Sequence, residues 1–172
     1  MDYDKALQYA IYLLSLHSYT TKSLREKLQR KNYAESIVEQ VLDFLIREHY
    51  LDDRRYAEEY IRTRSSAHGL LRMKRALASK GVTKDAIDTA LDALEEQGES
   101  LDEAETALQL ACRKLRGLTL PEDTRERMKL RDKVLRFLAG RGFSYSVSVE
   151  AWREAVRRLF DEAIDEDGPT VE

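Results

Sequence analysis

Few residues in this chain have the types and spacing that chemistry requires. His17, His49 and His68 are scattered, and no cysteine or second histidine stands at ligand spacing, so no metal site is expected. No glycine-rich phosphate loop, nucleophile elbow or Ser/His/Asp set is present. Asp52 and Asp53 could be imagined as a carboxylate pair, but adjacent residues on a helix point about 100° apart, and a helix N-cap explains Asp52 more simply. Cys112 lies on the inner side of an Ala-rich helix and reads as a small buried apolar residue. An enzyme is therefore not expected, nor a cofactor. What does stand out is charge. From Arg62 to Lys84 there are seven bases (Arg62, Arg64, Arg72, Lys74, Arg75, Lys80 and Lys84) and no acid, and from Asp85 to Glu105 nine acids and no base. Such blocks create local fields that a net charge of −3 conceals.

The elements that position these charges are helices. At 42% hydrophobic and 35% charged, with two prolines and seven glycines, the composition suits a helical protein. No apolar run approaches the roughly 18 residues that span a bilayer, and the N-terminus lacks the features of a signal peptide. A lone cysteine fits a reducing cytoplasm. In chain order, helix one (residues 4–16) carries Leu7, Ala10, Ile11, Leu13 and Leu14 as an apolar stripe. Helix two carries Leu24 and Leu28 inward and Arg25 outward; Ser23 with Glu26 fits a capping box, and Thr20 or Thr21 is an alternative N-cap. Helix three (35–48) buries Ile37, Val41, Leu42 and Leu45. Leu51, Asp52 and Tyr56 read as a staple around an N-cap opening helix four, whose inner face is Tyr56, Ala57, Tyr60 and Ile61. Helix five (69–80) turns Leu70, Met73 and Leu77 inward, and helix six follows Thr83 with Ile87, Ala90, Leu91 and Leu94. A Ser100-x-x-Glu103 capping box opens helix seven, with Ala104, Ala107, Leu108, Ala111 and Leu115 inside. Helix eight ends in FLAGRGF, and the last helix holds Val147, Ala151, Ala155, Val156 and Leu159.

The plan repeats. Leu28, Leu77 and Leu138 are each followed four positions later by Asn32, Gly81 and Gly142, residues suited to a left-handed helix stop. An apolar residue follows each stop (Tyr33, Val82, Phe143), then a helix with Val41, Leu91 or Ala151 13 or 14 positions after the Leu. The spacings are 49 and 61 residues, the second lengthened by Leu118–Asp123 and a longer helix eight. The expected fold is all-α: three tandem three-helix repeats, each with a helix-turn-helix-like pair, at 1–50, 51–99 and 100–164, in an elongated, curved array, with an acidic, disordered tail at 165–172.

On a helical plot Arg72 and Arg75 fall opposite Leu70, Met73 and Leu77, Lys74 and Lys80 fall at the borders, and Arg62 is turned away from Tyr56 and Ile61. Helix five contains no acid for i,i+4 pairing, so Arg62, Arg72, Lys74, Arg75, Lys80 and Lys84, with Arg25 on helix two, form the candidate surface for an acidic protein or nucleic acid. Arg64 falls on the Tyr56/Tyr60 side, where its stem is expected to pack and its head to meet a carboxylate.

The stretch YLDDRRYAEEYIRTR, followed by GLLRMKRALASKGV and later by FLAGRGFSYSV, resembles the RecX family of recombinase regulators over roughly residues 4–160. Motif positions shared with that family include Leu51, Asp52, Asp53, Arg55, Tyr56, Tyr60, Arg64, Gly69, Arg72, Gly81, Gly142 and Tyr145; His49, Asn32 and Ser146 depart from it. The resemblance implies a cytoplasmic, monomeric, non-enzymatic protein that lies in the groove of the RecA filament on single-stranded DNA. There it would dampen strand exchange, ATP hydrolysis and the filament's stimulation of repressor self-cleavage, and so modulate DNA repair and the SOS response. Direct contact with single- or double-stranded DNA is a further expectation. A helix-turn-helix-type DNA binder with no recombinase partner is the alternative.

Overall fold

The computed structural model describes residues 2–99 and 101–160. Among them are nine α-helices: α1 (Asp2–Leu16), α2 (Thr21–Arg30), α3 (Glu35–Arg47), α4 (Asp53–Arg64), α5 (Leu70–Ser79), α6 (Lys84–Glu96), α7 (Glu103–Leu115), α8 (Thr124–Gly140) and α9 (Tyr145–Phe160). They follow the threefold plan of the sequence, α1–α3, α4–α6 and α7–α9. Two compact units result, one of Met1–Thr63 with Lys74–Ser100, the other of Arg64–Met73 with Leu101–Glu172, the latter described as far as Phe160.

In the first unit α1–α3 enclose Ala6, Ala10, Leu13, Leu24, Leu28, Val38, Val41, Leu42 and Leu45. Farther along the unit Ala57, Ile61, Leu77, Val82, Ile87, Ala90 and Leu94 are buried at helical spacing. In the second unit α7–α9 close on Ala107, Leu108, Leu110, Ala111, Leu115, Val134, Leu138, Phe143 and Trp152. Truncating a side chain as completely buried as Leu28 or Leu138 costs about 2–5 kcal/mol. Some edge positions differ from expectation. Ile11, Ala104 and Leu159 are exposed and Ile37 is only half-buried, whereas Ala6, Val38 and Leu110 lie inside. The stripe on each of these helices is wide, and periodicity alone does not say which edge the neighbouring helix covers.

The three helix stops are as the repeat implies. Asn32, Gly81 and Gly142 have φ of 59°, 86° and 90°. In the latter two repeats the chain beyond the stop donates back to the leucine carbonyl, from Val82 N–H to Leu77 O at 3.1 Å and from Phe143 N–H to Leu138 O at 3.3 Å. Helices α3 and α6 end the same way: His49 (φ 59°) and Gly98 (φ 75°) let Tyr50 and Glu99 N–H donate to Leu45 O and Leu94 O, each at 2.9 Å. His49 thus occupies a backbone conformation that costs a non-glycine residue about 1–2 kcal/mol.

Helix starts are capped locally. Thr20, one of the alternatives, is the N-cap of α2: its Oγ1 accepts from Ser23 N–H, and Ser23 Oγ accepts from Thr20 N–H. Asp52 caps α4 as expected, accepting from Arg55 N–H at 3.0 Å. At α7 the cap is Asp102, accepting from Glu105 N–H at 2.9 Å, rather than the Ser100–Glu103 box; Ser100 itself lies outside the described residues, as does the tail from Asp165.

The residue after each acidic cap has a different task. Asp53 Oδ1 accepts from Thr21 N–H (2.7 Å) and Thr21 Oγ1 (3.1 Å), capping the first residue of α2 in the preceding repeat. Glu103 Oε1 accepts from Leu70 N–H (2.6 Å), the first residue of α5 in its preceding repeat. These are charge-assisted bonds to the positive end of a helix, where orphan N–H groups need acceptors. The second helix also meets the stop of the following repeat. Thr20 Oγ1 donates to Lys80 O (2.7 Å) and Lys22 Nζ to Ser79 O (3.3 Å), while Gly69 N–H donates to Arg141 O (2.9 Å) and Arg72 Nη1 to Gly140 O (2.8 Å). The backbones approach so closely that a Cβ at Gly81 would lie 2.5 Å from Lys22 Cβ, and one at Gly69 2.6 Å from Gly142 C. One pair of devices therefore joins successive repeats twice, once inside each unit.

Candidate interaction surfaces

The seven basic candidates do not share one environment. Arg72 falls in the second unit and the other six in the first. Arg62 is held by carboxylates: its Nε donates to Glu99 Oε2 at 2.6 Å and its Nη1 to Glu59 Oε2 at 3.2 Å, with Gln97 Oε1 3.3 Å from Nη2. The hydrogen bond raises the guanidinium pKa and holds the Glu99 carboxyl below its usual range. Lys74 Nζ donates to Asp88 Oδ1 at 2.9 Å and lowers that carboxyl in the same way. Arg25 pairs with Glu39 and, at 3.1 Å, with Glu35. Helix α5 has no acid of its own, yet Arg62 and Lys74 are paired with Glu99 and Asp88. Both acids come from the acidic block that follows, which α6 and its C-terminal turn bring back alongside. Arg72 is turned to solvent, but its guanidinium donates to the last carbonyl of α8, Gly140 O, and its stem lies against Gly142. Arg75, Lys80 and Lys84 are exposed, and none has a side-chain hydrogen bond or ion pair within the described residues. Arg64 is exposed.

Asp52 and Asp53 are absorbed by capping, and no carboxylate pair results. Cys112 is half-buried, and burial pushes its thiol up, away from the reactive thiolate form. An open groove of about 680 Å³ lies along α1 and α4, lined by Ile11, Leu14, Tyr19, Asp52, Arg55 and Tyr56 among others, so three motif residues of the sequence (Asp52, Arg55 and Tyr56) face it.

A second concentration of charge escaped the search for an acid-free block. From Arg113 to Arg141 there are ten bases (Arg113, Lys114, Arg116, Arg125, Arg127, Lys129, Arg131, Lys133, Arg136, Arg141) and four acids (Glu122, Asp123, Glu126, Asp132). Three of those acids are engaged: Asp123 caps α8, Glu126 pairs with Lys129 at 2.6 Å and Asp132 with Arg131 at 3.2 Å. Lys114 and Arg141 converge on one ring, their cationic centres 5.2 and 4.6 Å from the centroid of Phe137. A signed tally over thirty residues exposes this excess; a scan for uninterrupted blocks does not.

Repeated three-helix units, joined to one another through helix ends and carrying their charge in patches, define a tandem helical-repeat protein. Family models for the first, second and third three-helix domains of RecX match residues 6–45, 52–91 and 102–152. The chain belongs to the RecX family. It is 32% identical over 158 residues to regulatory protein RecX of Clostridium botulinum (strain Eklund 17B / Type B), spanning 91% of this chain and 72% of that protein. To the Chlorobium limicola protein it is 33% identical, spanning 91% of each, and to a Thermus thermophilus protein 34%, spanning 88% and 92%. Among solved structures, RecX from Lactobacillus salivarius shares the fold with a TM-score of 0.74 at 24% identity, over 90% of this chain and 96% of that one. A second structure, regulatory protein RecX, gives 0.66 at 28% identity over 94% and 72%.

Proposed function

We propose that this chain is a non-enzymatic regulator of a RecA-type recombinase, acting by binding along the recombinase filament on single-stranded DNA. The observation that carries the reading is the ordered match to all three RecX domains. A body of linked helical repeats suits contact with several successive protomers of a filament better than enclosure of a small molecule. Bridging protomers disfavours the rearrangements that ATP hydrolysis and strand exchange require. Of the candidate cations on the first unit, Arg75, Lys80 and Lys84 are left for a partner, and the exposed acids of α6 suit basic filament loops. The alternative, a DNA binder without a recombinase partner, is less well supported, since dedicated DNA-binding domains usually carry a strong basic excess and this chain has a net charge of −3. The deciding measurement is steady-state ATP hydrolysis by a recombinase–single-strand filament. Added protein should lower it, and the Arg75→Glu/Lys84→Glu variant should do so less effectively. A rate unchanged by stoichiometric protein refutes the proposal.

A further inference from the structure

The first turn of α5 and the last turn of α8 meet in a cluster of cations inside the second unit. His68 sits at its centre, with an Nδ1 that is buried and has no hydrogen-bond partner. The charges that bear on its ring are those of Arg72, Arg141 and Arg64, and no carboxylate is among them; burial first and then these guanidinium groups hold the imidazole pKa down. Arg141 Nη1 reaches Ala67 O at 3.3 Å, Arg72 Nη1 reaches Gly140 O at 2.8 Å, and the nearby carboxylate of Glu103 is taken by Leu70 N–H. From Arg141 the charge continues across Phe137 to Lys114 and, one turn earlier on α8, to Lys133, both exposed and free of ion pairs among the described residues. Lys133 and Arg141 are eight residues apart, which on a helix is about 12 Å. Capping of α8 accounts for Arg72, and the Ala67 carbonyl for part of Arg141. Neither accounts for Lys114 or Lys133.

We propose that Lys114, Lys133 and Arg141 bind successive phosphates of a single nucleic-acid strand. A line of charge suits a polyanion whose charges recur along a backbone better than it suits isolated carboxylates on a protein. Four residues beyond Arg141, Tyr145 is 74% exposed and offers a ring on which an unpaired base can stack. The inference takes its setting from the filament reading but is testable without a recombinase.

The probe is a fluorescein-labelled oligothymidylate of about 16 nucleotides, followed by anisotropy from about 50 to 200 mM salt. The full chain should bind it, and Lys114→Glu with Lys133→Glu should weaken binding at least tenfold at low salt and flatten the log–log salt slope by about 1.4, the loss expected for two single-strand phosphate contacts. Lys5→Glu with Lys31→Glu, exposed positions of the first unit, changes net charge equally and should leave affinity within about twofold, with circular dichroism confirming that both variants fold. No binding by the unaltered chain, equal losses in the two variants, or competition by poly-glutamate as effective as by oligonucleotide would each overturn the inference. Inhibition of filament ATP hydrolysis that persists without oligonucleotide binding sinks this inference alone; oligonucleotide binding without inhibition supports it and refutes the filament reading.

Discussion

Gly69→Ala is expected to be among the most damaging single-methyl additions in the chain. Gly69 is buried, and an added Cβ would lie 2.6 Å from Gly142 C and 2.7 Å from Phe143 N, closer still to Gly142 O. All three are backbone atoms at the left-handed stop of α8, so no rotamer change relieves the clash. The first turn of α5 must back away, and overpacking of this kind costs about 1–3 kcal/mol. Moving it also stretches the bonds from Gly69 N–H to Arg141 O and from Leu70 N–H to Glu103, worth about 1 kcal/mol for the neutral bond and about 1.5–3 for the charged one. The total comes to about 3.5–7 kcal/mol if both bonds are lost outright, at least several hundredfold in the unfolded population. Urea unfolding followed by the fluorescence of Trp152, the chain's single tryptophan and buried in the α7–α9 core, reads the effect where it should fall. Gly140→Ala is the matched control. A Cβ there meets nothing within 4 Å, and replacing glycine at the end of α8 should raise stability by about 0.5 kcal/mol. If Gly69→Ala unfolds within about 0.5 kcal/mol of the unaltered protein, the junction is not the tight backbone contact described.

His49→Gly should stabilise the first unit by about 0.5–1 kcal/mol by removing the penalty of a left-handed histidine, visible as a higher urea midpoint by circular dichroism with an unchanged slope. Asp53→Ala should cost about 1–2 kcal/mol through the uncapped start of α2, and in combination with Thr21→Val the losses should be less than additive; strict additivity would mean the two residues do not interact.

Much of this fold was legible residue by residue. Leu28, Leu77 and Leu138 with their left-handed stops, the Asp52 cap, and the centres, though not the edges, of the inner faces of α3, α6 and α7 depend on neighbours within one or two turns, and helical geometry makes such relations computable from spacing alone. The fate of the charges was not legible. Glu99 lies 37 residues from Arg62, Asp88 14 from Lys74 and Gly140 68 from Arg72, and a plot of one helix carries no information about what a later helix lays against it. Asp53 and Glu103 likewise reach back 32 and 33 residues to cap a helix already finished. The order of residues along the chain specifies where each helix starts, stops and turns its apolar face. Which cations remain open to a partner depends on the angles at which the helices cross, because a charge is neutralised by whatever acid packing brings within about 3 Å, however distant along the chain.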